Sequence, residues 1–131
     1  MKYFTIREFE RSVTADNLRI KNTIPDNLRG NIEALVDNIL DPLREAWGRP
    51  ITINSGYRSP SLNQAVGGVA TSMHQSGQAA DITAGSVADN QRLYKLVQAL
   101  KLPYFELIGT KYGFKWLHIS YAPEREQKIS M

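Results

Sequence analysis

The chain has 131 residues, of which 42% are hydrophobic and 22% charged, with no cysteine and a formal net charge of +3. That length and balance describe one ordinary globular domain able to bury its own core, and they exclude disordered, collagen-like and disulfide-stapled chains. No apolar run approaches the roughly 18 residues of a membrane span, and the N-terminus lacks the apolar segment of a secretory signal. With thiolates absent, histidine and carboxylate are the strong metal ligands that remain. The basic residues are scattered with no aromatic-basic recognition motif, so nucleic acid is not an expected partner; a mild attraction to an anionic polymer is the functional reading of the charge.

Thr5 and Glu8 have capping-box spacing, which predicts a short helix from Ile6 to Arg11. The polar, aperiodic segment from Ser12 to Pro25 reads as a loop. Asp26 is the expected N-cap of the longest helix, because Ile32, Leu35, Val36, Ile39, Leu40, Leu43 and Trp47 recur on one face. Pro42 should kink that helix, and Gly48-Arg49-Pro50 should end it. Ile51 to Ser55 alternates as a first strand and runs into a turn that carries Arg58. A short helix is expected at Ser61 to Val66, followed by a glycine-rich loop at Gly67-Gly68. A second strand starts near Ala79, and Ser86 with Asp89 opens a helix whose apolar face is Leu93, Leu96, Val97 and Leu100. Strands at Tyr104 to Thr110 and Lys115 to Tyr121 read as a hairpin, and the tail from Ala122 as loose. The expectation is therefore an α+β fold, a small antiparallel sheet with helices packed on it. It divides as a single domain over residues 1–131: a helical part at 1–50, a core at 51–121 and a tail at 122–131.

The chemistry concentrates in Ser72-Met73-His74-Gln75-Ser76-Gly77-Gln78-Ala79-Ala80-Asp81 and in Trp116-Leu117-His118, which hold both histidines of the chain. Two histidines and one carboxylate supply the three protein ligands that catalytic zinc needs, with a fourth position left to water. Taken alone, a strand histidine is more often an ordinary hydrogen-bonded polar residue than a ligand, and Asp81 alone could simply cap or turn. The joint reading comes from their placement with Asp81 at strand ends beside glycine-rich loops. In a strand, His118 shares a face with Trp116 and Ser120, while Leu117 and Ile119 face the core.

Ser55-Gly56-Tyr57-Arg58-Ser59-Pro60, Asn63, Gly67-Gly68, Ser72-x-His74-x-x-Gly77-x-Ala79-x-Asp81 and Trp116-x-His118 together resemble the zinc D-alanyl-D-alanine carboxypeptidase-like peptidases. That family includes cell-wall peptidases and phage endolysins, and it shares its metal site with the wider lysostaphin, D-Ala-D-Ala metallopeptidase and hedgehog group. The resemblance spans Ile51 to Tyr121. It implies that His74, Asp81 and His118 bind one zinc ion, which would polarise a peptide carbonyl and activate water. It implies further that Arg58 holds substrate or the developing negative charge, and that Ser72 is a polar contact beside the metal or substrate. Tyr57 and Trp116 are the aromatic candidates for lining the cleft, with core packing as their alternative.

One position departs from the pattern. Better-known members carry an acid three residues before the last histidine as general base, and this chain has Lys115 there, which in its charged form cannot accept a proton. The base then comes from elsewhere or is missing; Glu106, on the neighbouring strand, is the leading candidate ahead of Asp89 and Glu124, with a solvent-exposed side chain as its equal alternative. The implied activity is hydrolysis of peptidoglycan stem peptides by a phage or prophage endolysin or a D-Ala-D-Ala-type carboxypeptidase. Such a protein would be made in the cytoplasm without a signal peptide and reach the wall after release through the membrane. The alternative is a non-catalytic zinc-containing domain that binds cell wall or protein, which Lys115 favours. No apolar stripe is left over for a partner copy, and a monomer is the expectation.

Overall fold

The computed structural model describes residues 1–125 and 128–131. Helix α1 (Ile6–Glu10) forms where Thr5 and Glu8 predict it, with both halves of the capping box made. The expected loop after it instead contains a helix, α2 (Val13–Leu18). Ser12 caps it by accepting from Ala15 N, and Ala15 is its single buried residue. A helix that buries one small side chain has no apolar stripe to betray it.

The predicted long helix is present but broken into segments. Pro25 occupies the N-cap position, and Asp26 lies one place inside, opening a 3-10 turn (Asp26–Leu28) without making a side-chain cap. This turn leads into α3 (Arg29–Leu35), a π-helical stretch (Val36–Leu40) and α4 (Asp41–Trp47). Pro42 explains the π-helical stretch, since proline cannot donate to the carbonyl four residues back and its ring would collide there. The widened turn lets Asp41 N bond Val36 O, five residues back, and puts Pro42 in the first turn of α4. The apolar stripe survives the change of pitch: Ile32, Leu35, Val36, Ile39, Leu40 and Leu43 are all fully buried. Gly48 closes α4 in the left-handed conformation, at φ 75°.

These helices pack on a five-stranded sheet of order β1-β2-β4-β3-β5, formed by β1 (Thr52–Ser55), β2 (Ala79–Thr83), β3 (Glu106–Ile108), β4 (Leu117–Ser120) and β5 (Ile129–Ser130). The first four strands are antiparallel to their neighbours, as expected, and β5 is parallel to β3. The α+β class therefore holds, while the sheet is mixed and the C-terminal end is not loose. Met131 N donates to Leu107 O at 2.9 Å, and Ile129 N to Phe105 O at 2.7 Å. These bonds cover an edge that β3 would otherwise present unpaired. Within the expected tail, residues 126 and 127 lie outside the described ones.

Two further helices complete the layer. Helix α5 (Pro60–Ala65) is capped by Ser59, and α6 (Val87–Ala99) by Ser86. Leu93 and Val97 of α6 enter the core with Ile82, Leu117 and Ile119 from the sheet. Leu100 is 40% exposed and lies off that face. Alternation in β4 follows the prediction, with Leu117 and Ile119 fully buried beneath the sheet and His118 on the opposite side.

Candidate metal centre

His74 lies on a 3-10 turn (Met73–Ser76), and the sequence around it is what a tight turn before a strand requires. Ser72 caps the turn by accepting from His74 N, and Gly77 ends it at φ 73°. A Cβ at Gly77 would also stand 3.1 Å from Ile32 Cγ1 and 3.3 Å from Leu28 O, so both conformation and space call for glycine. Ser72, expected as a polar contact of the site, thus acts on the backbone of His74 while also lining the adjoining cleft. The imidazole is 97% buried, with Nδ1 2.7 Å from Gly56 O. A carbonyl only accepts, so Nδ1 carries a hydrogen and Nε2 is the nitrogen turned inward to Asp81. Gly56 is itself pressed on α1, where a Cβ would fall 2.7 Å from Phe9 Cα. The N-terminal helix therefore supports the carbonyl that orients His74.

Asp81 lies in β2 directly opposite His118 in β4, which puts both side chains on one face of the sheet. Asp81 Oδ1 is 3.2 Å from His74 Nε2 and 3.1 Å from His118 Nδ1. Oδ2 accepts from Arg58 at 3.4 Å. Arg58 is held on two further sides, donating through Nε to Ser55 Oγ at 3.1 Å and through Nη1 to Asn63 Oδ1 at 3.3 Å. A β-bulge between Ile53 and Ser55 brings Ser55 into register with Asp81 and so aims this strand end at the site. Asn63 also donates to Val69 O, and a Cβ at Gly68 would fall 2.0 Å from its Oδ1. The glycine lets the 66–71 loop close over Asn63 and Arg58.

His118 makes its second contact on the far edge of the ring, where Nε2 lies 3.0 Å from Glu106 Oε1. The same oxygen accepts from the fully buried Ser120 Oγ at 2.9 Å. Burial alone would lower the His118 pKa, but its bonds to Asp81 and Glu106 outweigh this and push it up to about 9. Burial works against ionisation of Asp81 too, yet hydrogen bonds from His118 and His74, with their charges, hold its carboxyl well below the usual range. The bond from His118 likewise keeps Glu106 low, against its partial burial.

The site opens on a cleft of about 430 Å³ lined by Arg58, Ser72, His74, Asp81, Glu106 and His118 among others. A larger cavity of about 620 Å³, lined by residues of the first 23 such as Glu8, Glu10 and Arg11, contains none of these groups. Two of the expected contacts stand apart from the cleft lining among the described residues. Tyr57 is a core residue, 4% exposed. Trp116 stacks on Tyr112 with ring centroids 4.5 Å apart, and it is Tyr112 that lines the cleft. Lys111 and Tyr112 are among the lining residues that the sequence does not mark; they sit on a 3-10 turn (Thr110–Tyr112) that reads only as a hairpin connection. Lys115 is exposed and outside the lining, with its carbonyl held by the buried Asn90. Asp89 pairs with Arg49 and Arg92, and Glu124 bonds Gln78, so neither acid joins the cleft.

His74, Asp81 and His118 offer one ligand atom each, all within 4.8 Å of one another. Two imidazole nitrogens and one carboxylate oxygen, with open space on the cleft side, form a donor set suited to catalytic zinc. The orientation of His74 agrees, because its inner nitrogen is the one free to ligate.

Comparison with known proteins adds an independent line. The peptidase M15 family model matches residues 2–120. The chain is also similar to the zinc D-Ala-D-Ala carboxypeptidase of Streptomyces albus G, at 43% identity over 75 residues. That stretch is 56% of this chain and 28% of the relative, well under half of the relative's length.

Proposed function

The chain belongs to the peptidase M15 family, and on that premise we propose that it is a zinc peptidase acting on the stem peptides of peptidoglycan, at a bond beside a D-amino acid. The observation that carries the reading is the convergence of His74 Nε2, Asp81 Oδ1 and His118 Nδ1 on one point at the mouth of a cleft. The substrate class is supported by the name of the Streptomyces relative and by the resemblance of the Ser55–Pro60 and Ser72–Asp81 motifs to wall peptidases. The lytic or phage setting rests on that resemblance alone. No helix among the described residues is long and apolar enough to cross a membrane.

His74, Asp81 and His118 would hold a single zinc ion. Bound there, zinc supplies Lewis-acid polarisation of the scissile carbonyl and lowers the pKa of water toward neutrality. The protein's own groups do the rest. Arg58, fixed by Ser55, Asn63 and Asp81, keeps N–H donors for a substrate carboxylate or for the charge that develops on the carbonyl oxygen. Lys111 adds a second cation at the rim, and Tyr112 backed by Trp116 offers an aromatic wall for the substrate backbone. Glu106, which the sequence offers as proton acceptor, has its Oε1 engaged by His118 and Ser120.

The test is incubation of the zinc-loaded protein with purified peptidoglycan and with synthetic peptides ending in D-Ala-D-Ala, the products being identified by mass. Release of single D-alanine residues would mark a carboxypeptidase, and release of internal fragments an endopeptidase; either must vanish in His118→Ala. The departure at Lys115 favours one rival, a zinc-containing domain that binds wall or protein without cutting it. Stoichiometric zinc with no release from any wall type would establish that rival.

A further inference from the structure

We propose that Glu106 is a positioning residue for His118, held in place by Ser120, and that it sets which imidazole nitrogen faces the metal. Strand register brings these groups together. Ile108 pairs with His118 and Leu107 with Ile119, so the ladder continues with Glu106 beside Ser120. Ser120 then fastens Glu106 twice: its hydroxyl accepts from Glu106 N at 3.0 Å and donates to Oε1 at 2.9 Å. The fully buried Ser120 cannot turn to solvent, so the carboxylate is fixed rather than free to swing. From there Oε1 reaches His118 Nε2 at 3.0 Å, while Nδ1 faces Asp81 on the other edge of the ring.

An ionised carboxylate only accepts hydrogen bonds. In the neutral, metal-binding imidazole, the single hydrogen must therefore sit on Nε2, which leaves the Nδ1 lone pair for the ion. His74 is arranged on the same logic with the nitrogens exchanged, since its Nδ1 bonds Gly56 O and its Nε2 faces inward. A backbone carbonyl serves one ligand and a carboxylate braced by a serine serves the other. Glu106 contacts the ring on the edge away from Asp81, so its bonded oxygen acts through His118 and not on the reacting water. This assignment rests on the reading of His118 as a ligand, and the experiment separates the two.

Zinc dissociation constants measured by chelator competition should weaken about 10–100-fold in Glu106→Ala, the range typical of a lost partner behind a histidine ligand. Glu106→Gln keeps an acceptor oxygen and should recover most of that loss. Ser120→Ala should weaken zinc by a smaller factor in the same direction. Long-range nitrogen-proton correlation spectra of the zinc-bound protein should show His118 protonated at Nε2 in the wild type and in Glu106→Gln. Wild-type zinc affinity in Glu106→Ala, alongside lost affinity in His118→Ala, would overturn the positioning role while sparing the ligand assignment. Unchanged affinity in His118→Ala would overturn the ligand assignment itself. If Glu106→Gln slows turnover by roughly two orders of magnitude or more, with zinc retained by both Glu106 variants, Glu106 returns to the role of proton acceptor.

Discussion

Asp81 and His118 face each other across the β2–β4 ladder, with Oδ1 3.1 Å from Nδ1, although 37 positions separate them in the chain. A rigid antiparallel ladder holds two of the three proposed ligand atoms, and the capped turn around His74 delivers the third. Removing Asp81 should therefore be more damaging than its single negative charge suggests. Asp81→Asn keeps the shape but loses the anion that both imidazoles and Arg58 address. The expected outcome is protein that remains folded by circular dichroism but no longer holds stoichiometric zinc by elemental analysis.

Arg58 should behave differently, because it stands beside the proposed metal ligands and not among them. Arg58→Ala should retain zinc and lose about 10²–10³ in kcat/KM, the usual cost of removing a donor to developing negative charge. Arg58→Lys should restore little. Ser55, Asn63 and Asp81 are met by three differently directed N–H groups of one planar guanidinium, and an ammonium on a flexible stem cannot reproduce that fork.

The raised pKa of His118 makes the metal-free protein pH-sensitive. A histidine whose folded value is about 9, against 6.5 for the free side chain, contributes stability that is complete below 6.5 and lost as pH rises through 9. The Tm of chelator-treated protein should fall across that window. Zinc must displace the Nδ1 proton, so its apparent affinity should rise with pH by up to about tenfold per unit and level off above 9. Parallel melts and competition titrations between pH 6 and 10 would show the two trends running in opposite directions.

Gly56→Ala tests whether the N-terminal helix belongs to the site. Its Cβ would meet Phe9 Cα at 2.7 Å, and relief of that contact moves the carbonyl bonded to His74 Nδ1. We expect a loss of about 1–3 kcal/mol in denaturant melts, as for other overpacked positions. Zinc binding should weaken with it.

The features legible in the sequence are those that depend on near neighbours. Thr5 and Glu8 announce a capping box, Ser86 announces the start of α6, and the stripe from Ile32 to Leu43 announces its buried face. Helix α2 gives no such warning, since its packing rests on Ala15 alone. Tyr57 shows the limit from the other side. Its place in the motif suggests a cleft wall, but its backbone N–H bonds Phe9 O and its ring enters the core.

By itself the sequence determined the α+β class, the two histidines and the carboxylate, and the glycines that their turns require. These follow from propensity, spacing and the scarcity of histidine in the chain. Only the tertiary structure decided which nitrogen of each imidazole faces Asp81, what stands behind it, and that β5 returns to cover β3. Strand register and edge pairing bring together groups that share no local signal. Glu106 reaches His118 because Leu107 pairs with Ile119, a contact that no spacing along one segment encodes.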